Sequence, residues 1–138
     1  MRIDETPGPL NDLPPTVVAP RRVLIIDDHA DTATSLAVLL AASGHSTRAT
    51  RSAFAAFSVL IEFDPDVCLV DLRMPLMDGF ETAIRLRVIL GPHVRIMAIT
   101  GELAAALDPR AEVFERVFTK PLDVGELLQA IADSPPGR

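Results

Sequence analysis

The sequence predicts an α/β fold, five strands alternating with five helices in a three-layer sandwich around a parallel sheet. Two observations carry this. Short apolar runs recur through the central part of the chain, each followed by a segment with helical spacing or helix-breaking punctuation. The runs are also continuous rather than alternating, as expected of strands covered by helices on both faces.

Strand one is predicted at Val23–Asp27. Helix one follows from Thr32 to Ser43 with Asp31 as N-cap, Ala33, Leu36, Ala37 and Leu40 forming an i, i+3, i+4, i+7 stripe, and Gly44 ending it. A short strand at Ser46–Ala49 leads to a helix over Ala53–Phe63 that Ser52 caps and Asp64-Pro65 breaks. Strand three is Asp66–Asp71, helix three Phe80–Leu90, and Gly91-Pro92 stops that helix. Strand four is Val94–Thr100. Residues 101–116 are the least regular, and Asp108-Pro109 should interrupt or restart a helix there. Strand five is Val117–Thr119, and the last helix, Val124–Ile131, sets Val124, Leu127, Leu128 and Ile131 on one face.

The flanks differ in kind. Residues 1–20 hold Pro7, Pro9, Pro14, Pro15 and Pro20 without sustained periodicity and read as a flexible leader, and residues 134–138 read as a short tail. One domain is therefore expected over 21–133, a reasonable size for a single core within a chain of 138 residues. A net charge of -6 with no basic cluster argues against a nucleic-acid surface. No apolar stretch is long enough for a membrane span and no signal-peptide core is visible, so a cytoplasmic protein is expected. The one cysteine, Cys68, sits in an apolar run and reads as a buried, inert thiol.

Right-handed crossovers leave few topologies, and the flavodoxin-like order 2-1-3-4-5 is the common one at this size. It would make strands one and three neighbours, so that Asp27 and Asp28 converge with Asp71 at the carboxyl edge of the sheet. Three carboxylates in one crevice repel unless a hard divalent cation neutralises them, and Mg2+ suits an all-oxygen set. Thr100 and Lys120 end the remaining strands and add a hydroxyl and an ammonium. A cation, a hydroxyl and an amine around one carboxylate fit phosphoryl transfer to an aspartate. Singly, each of these residues reads more simply as a cap, a solvated loop residue or an ion-pair partner. Asp78 reads as the turn residue before Gly79, and His29, His45 and His93 as loop or surface turn residues. Met74 and Met77 read as packing.

Together these residues place the chain beside a known family. It resembles the receiver domain of two-component signal transduction, over about residues 21–133. The resemblance rests on Asp27-Asp28, on Leu-Val-Asp-Leu-Arg-Met-Pro-Leu-Met-Asp-Gly around Asp71, on Ile-Thr-Gly ending at Gly101, and on Thr-Lys-Pro at 119–121. It implies that Asp71 accepts a phosphoryl group from a histidine kinase or a phosphotransfer domain. It implies Mg2+ bound by Asp28, Asp71 and the Arg73 carbonyl, with Asp27 acting through water. Thr100 and Lys120 would bind the phosphoryl group, and the Lys120-Pro121 bond would be cis. Such a protein catalyses only its own phosphorylation and dephosphorylation, is not a conventional turnover enzyme, and switches protein–protein interactions as a monomer or weak dimer. No membrane or nucleic-acid partner is implied.

Three departures from the family pattern stand out. The stretch from Thr100 to Lys120 is about two residues short, the usual glycine before strand five is missing, and Val117 stands where a switch aromatic is expected. Phe118 is displaced by one residue and should therefore face the core. Arg73 and Glu102 flank the acceptor and are expected to bias attack of water on the acyl phosphate. The alternative function is a degenerate receiver acting as a constitutive protein-interaction module. A haloacid-dehalogenase-type phosphatase ranks last, because it needs a second Asp where this chain has Arg73.

Overall fold

The apolar runs become five parallel strands: β1 (Arg22–Ile26), β2 (Ser46–Thr50), β3 (Val67–Asp71), β4 (Arg95–Thr100) and β5 (Arg116–Thr119). The computed structural model describes residues 20–133. The leader, apart from Pro20, and the tail lie outside the described residues. The sheet order is β2-β1-β3-β4-β5, as the crossover argument predicts. Its register pairs Ile26 with Val70 and Asp71 with Ile99, so the strands finish level with one another at their carboxyl ends.

Helices α1 (Ala30–Ala42) and α5 (Val124–Ala132) cover one face of the sheet; α2 (Ala53–Val59) and α3 (Gly79–Leu90) cover the other. The strands divide their side chains by parity, which is why the runs are apolar throughout. Ile25, Leu69, Met97 and Phe118 meet Leu36, Leu40, Leu127 and Ile131. Ile26, Val70, Ile96 and Ala98 meet Ala56, Phe80, Ala83 and Leu86. Cys68 is fully buried there, and burial pushes its thiol up to about 12, leaving it inert. Phe118 is in the core, as its one-residue displacement predicts, while Val117 faces the opposite layer.

Several boundaries differ from the sequence reading. The N-cap of α1 is His29 rather than Asp31, which falls in the first turn, where its charge favours the helix dipole. Helix α2 stops at Val59 rather than Phe63, because Phe63 turns into the core under the β1 guanidinium of Arg22. The irregular stretch resolves into a four-residue helix α4 (Leu103–Ala106) and a 3-10 helix (Pro109–Val113). Asp108 divides them: its side chain accepts from the Arg110 N–H, so the chain restarts where the proline forbids continuation. Among the described residues no helix is long and apolar enough to cross a membrane.

Candidate functional site

Parallel strands that end level leave their next residues in one crevice. Asp71 closes β3 and is 4% exposed; Asp27 follows β1 and is 3% exposed. Asp27 is held by the sheet itself, its N–H donating to the Thr50 carbonyl at 3.0 Å. Thr100, at the end of β4, is completely buried, and its hydroxyl oxygen accepts from the Glu102 N–H at 3.1 Å. Lys120 follows β5, donates its backbone N–H to the Thr100 carbonyl, and precedes a cis peptide bond to Pro121, as the resemblance implies. The structure thus brings Asp27, Asp28, Asp71, Thr100 and Lys120 to one sheet edge.

Backbone geometry on both sides fixes the carboxylates. The Arg73 N–H donates to Asp71 Oδ1 at 3.2 Å and the His29 N–H to Asp27 Oδ1 at 2.9 Å. The loop after Asp71 is folded tightly back: Leu76 takes a left-handed φ of 71°, and the Gly79 N–H donates to the Leu72 carbonyl at 3.0 Å. A Cβ on Gly79 would lie 2.5 Å from the Asp71 carbonyl oxygen, so only glycine lets α3 start against the end of β3. Asp78 caps α3 by accepting from the Glu81 N–H, the turn role read from its position before Gly79.

Electrostatics single out Asp71. Burial, then the charge of Asp27, raise its pKa to about 6, against the opposing Arg73 N–H and the charge of Lys120. Lys120 Nζ is 3.7 Å from Asp27 Oδ2, so the amine is seated on the neighbouring acid. The guanidinium of Arg73 pairs with Glu102, joining the loops after β3 and β4.

The cluster could hold a metal. Ligand atoms of Asp27, Asp28, His29 and Asp71 all lie within 4.8 Å of one another. Asp28 Oδ1 is a buried carboxylate oxygen with no hydrogen-bond partner among the described residues. An orphaned anionic oxygen beside two buried acids fits an oxygen-seeking divalent cation. His29, which reads from the sequence as a loop residue, is the fourth member of the group. Its signal was its place directly after the acid pair, at the start of a helix whose backbone pins it.

A family model described as response regulator receiver domain matches residues 23–132. The response regulator receiver protein CpdR of Brucella abortus (strain 2308) is 32% identical over 113 residues, covering 80% of this chain and 93% of that protein. Sporulation initiation phosphotransferase F of Bacillus subtilis (strain 168) is 28% identical over 112 residues, 80% of this chain and 90% of that one. Other curated relatives are much longer, and the chain spans 24% of one and 16% of another. The response regulator protein TrrA of Thermotoga maritima, solved in complex with Mg(2+)-BeF, shares the fold with a TM-score of 0.74 at 19% identity, covering 83% of this chain and 99% of that one.

Proposed function

We propose a function from one premise: this chain belongs to the response regulator receiver domain family. It acts as a phosphorelay receiver in the cytoplasm, taking a phosphoryl group onto Asp71 from a phosphohistidine of a histidine kinase or phosphotransfer domain. The carrying observation is the convergence of a buried, charge-strained Asp71 with Asp27, Asp28, Thr100 and Lys120 at one sheet edge.

In the transfer, a carboxylate oxygen of Asp71 forms a bond to phosphorus as the phosphorus–nitrogen bond of the phosphohistidine breaks, and the imidazole leaves with the electron pair. Asp71 is ionised at neutral pH, above its raised pKa of about 6, and that same pKa reflects how poorly the charge is solvated. Phosphorylation replaces the carboxylate charge with a phosphoryl group whose negative charge the surrounding cations must neutralise. Asp28 and Asp71, with the Arg73 carbonyl, would hold Mg2+, and Asp27 would act through water. When bound, the cation supplies charge neutralisation for the entering phosphoryl oxygens. Lys120 adds a point charge on the opposite side, and the buried Thr100 hydroxyl gives up its Glu102 N–H to bind a phosphoryl oxygen. The chain modifies only itself, so it is a switch rather than a turnover enzyme.

Incubation with Mg2+ and acetyl phosphate or phosphoramidate, followed by intact mass, tests this. An adduct present in the parent and absent in Asp71→Asn supports it; a folded parent without an adduct sinks it. In that case the second reading, a constitutive interaction module, takes its place. One observation favours that module: the four-residue α4 and the Val117 position alter the surface through which a phosphorylated receiver would report.

A further inference from the structure

One side chain at the site has no part in the phosphoryl chemistry. His29 Nδ1 lies 3.4 Å from Asp27 Oδ1 and 3.4 Å from Asp28 Oδ1, the second being the buried oxygen that lacks a hydrogen-bond partner. The His29 backbone is fixed at both ends, its N–H on Asp27 Oδ1 and its carbonyl accepting from the Ala33 N–H at 3.0 Å. It is the N-cap of α1 but makes no side-chain capping bond, so the ring does nothing for the helix.

The spacing is informative. Atoms bound to one cation at about 2.1 Å stand about 3.0 Å apart along an octahedral edge and about 3.4 Å along a tetrahedral one. The imidazole nitrogen therefore sits at ligand spacing from Asp28 Oδ1, the carboxylate oxygen read above as a direct ligand. The simpler account is an ion pair with a protonated ring. A ring 69% exposed to water gains little from such a pair, and that account leaves Asp28 Oδ1 without a hydrogen bond.

The geometry points to His29 as a nitrogen ligand that opens this site to borderline divalent transition ions, Mn2+, Co2+ or Zn2+, alongside Mg2+. The inference rests on reading the acid cluster as a cation site. Mg2+ keeps oxygen ligands and water and gains nothing from imidazole, whereas nitrogen donors suit the transition ions, with affinity rising from Mn2+ to Co2+. His29 thereby decides which cation occupies the site without contacting the phosphoryl group.

Calorimetric titration of the parent, His29→Gln and Asp28→Asn with Mg2+ and Co2+, together with pulsed EPR of bound Mn2+, tests it. Glutamine keeps the backbone N–H that Asp27 accepts. We expect imidazole nitrogen coupling to Mn2+ in the parent and none in His29→Gln. Co2+ affinity should fall at least about tenfold in that variant while Mg2+ affinity moves less than about twofold. Coupling absent from the parent or persisting in His29→Gln overturns the inference, as does an equal loss for both ions. If Asp28→Asn leaves Mg2+ affinity intact, the underlying reading of the cluster fails instead, and the two failures are thus distinguishable.

Discussion

Lys120, the only lysine in the chain, rests on Asp27 rather than on Asp71: its Nζ is 3.7 Å from Asp27 Oδ2. Asp71 thus has an acid neighbour that raises its pKa and a cation that lowers it, and the cation is held by that same acid. Removing each partner should move Asp71 in opposite directions. Asp27→Asn should bring its pKa down from about 6, and Lys120→Met should push it higher. Carbon-detected NMR titration of the Asp71 carboxyl in metal-free buffer reads both. Shifts of the same sign would show that the two residues do not act on Asp71 by charge.

The raised pKa also carries a stability cost with a defined pH window. Unfolded, an aspartate titrates near 3.9; folded, Asp71 titrates at about 6. Between those values the folded chain holds the extra proton, so stability falls as pH rises through the window and the penalty is constant above it. Asp71→Asn abolishes the ionised form. Without metal, it should unfold at higher temperature than the parent at pH 7.5, by an amount on the order of 1–3 kcal/mol. At pH 4 the two should coincide. An equal gap at both pH values would trace the gain to packing instead.

The sheet order and the strand-tip cluster were legible because both follow from patterns with strong physical selection. Strands buried on both faces need continuous apolar runs, and right-handed crossovers then dictate which tips meet. Thr100 and Lys120 could be placed from strand ends alone. The start of α1 differs from the sequence expectation because Asp31 resembles a cap, while the helix begins two residues earlier, after a His29 cap whose side chain makes no capping bond. Sequence spacing shows no second histidine near His29, whereas the fold sets carboxylates beside it. The docking of residues 101–116 involves a contact no periodicity reveals, the reach of Arg110 back to Phe80 and Asp78.

Gly79 packs against the end of β3. A methyl group there meets the Asp71 carbonyl oxygen at 2.5 Å and the Leu72 Cα at 2.7 Å, both backbone atoms that lack a rotamer to yield. Gly79→Ala should therefore destabilise the domain by about 1–3 kcal/mol despite alanine's better helix propensity. Urea denaturation at pH 7 measures it. Unchanged or increased stability would mean that the loop before α3 shifts freely, and with it the claim that Asp71 is rigidly placed.

The Arg73–Glu102 pair joins the loops that follow Asp71 and Thr100, and on the proposed function it would limit access of water to an acyl phosphate. If the pair acts as one unit, Arg73→Ala, Glu102→Ala and the double variant should shorten the phosphoryl half-life by similar factors. Single-turnover decay after removal of the phosphodonor gives the three rates. Additive effects would mean that the residues act separately, and unchanged half-lives would remove both from any role in lifetime.

The stretch between β4 and β5 is tied to the start of α3 by Arg110. Its guanidinium lies 4.2 Å above the Phe80 ring and pairs with Asp108 at 2.9 Å and Asp78 at 3.8 Å. Phe80 in turn meets Phe114 at 5.9 Å between centroids, so one side chain and one ring pair fasten residues 101–116 to the start of α3. Arg110→Gln removes the clamp while leaving the Asp108 cap, which uses the backbone N–H. Hydrogen exchange should then accelerate several-fold at the amides of Ala105, Ala111 and Phe114, each bonded within this segment, and stay unchanged at the β1 and β3 amides. Uniform acceleration would indicate global destabilisation. No change anywhere would mean that the segment is held by its apolar contacts alone, and that a signal from Asp71 would reach it by another route than Arg110.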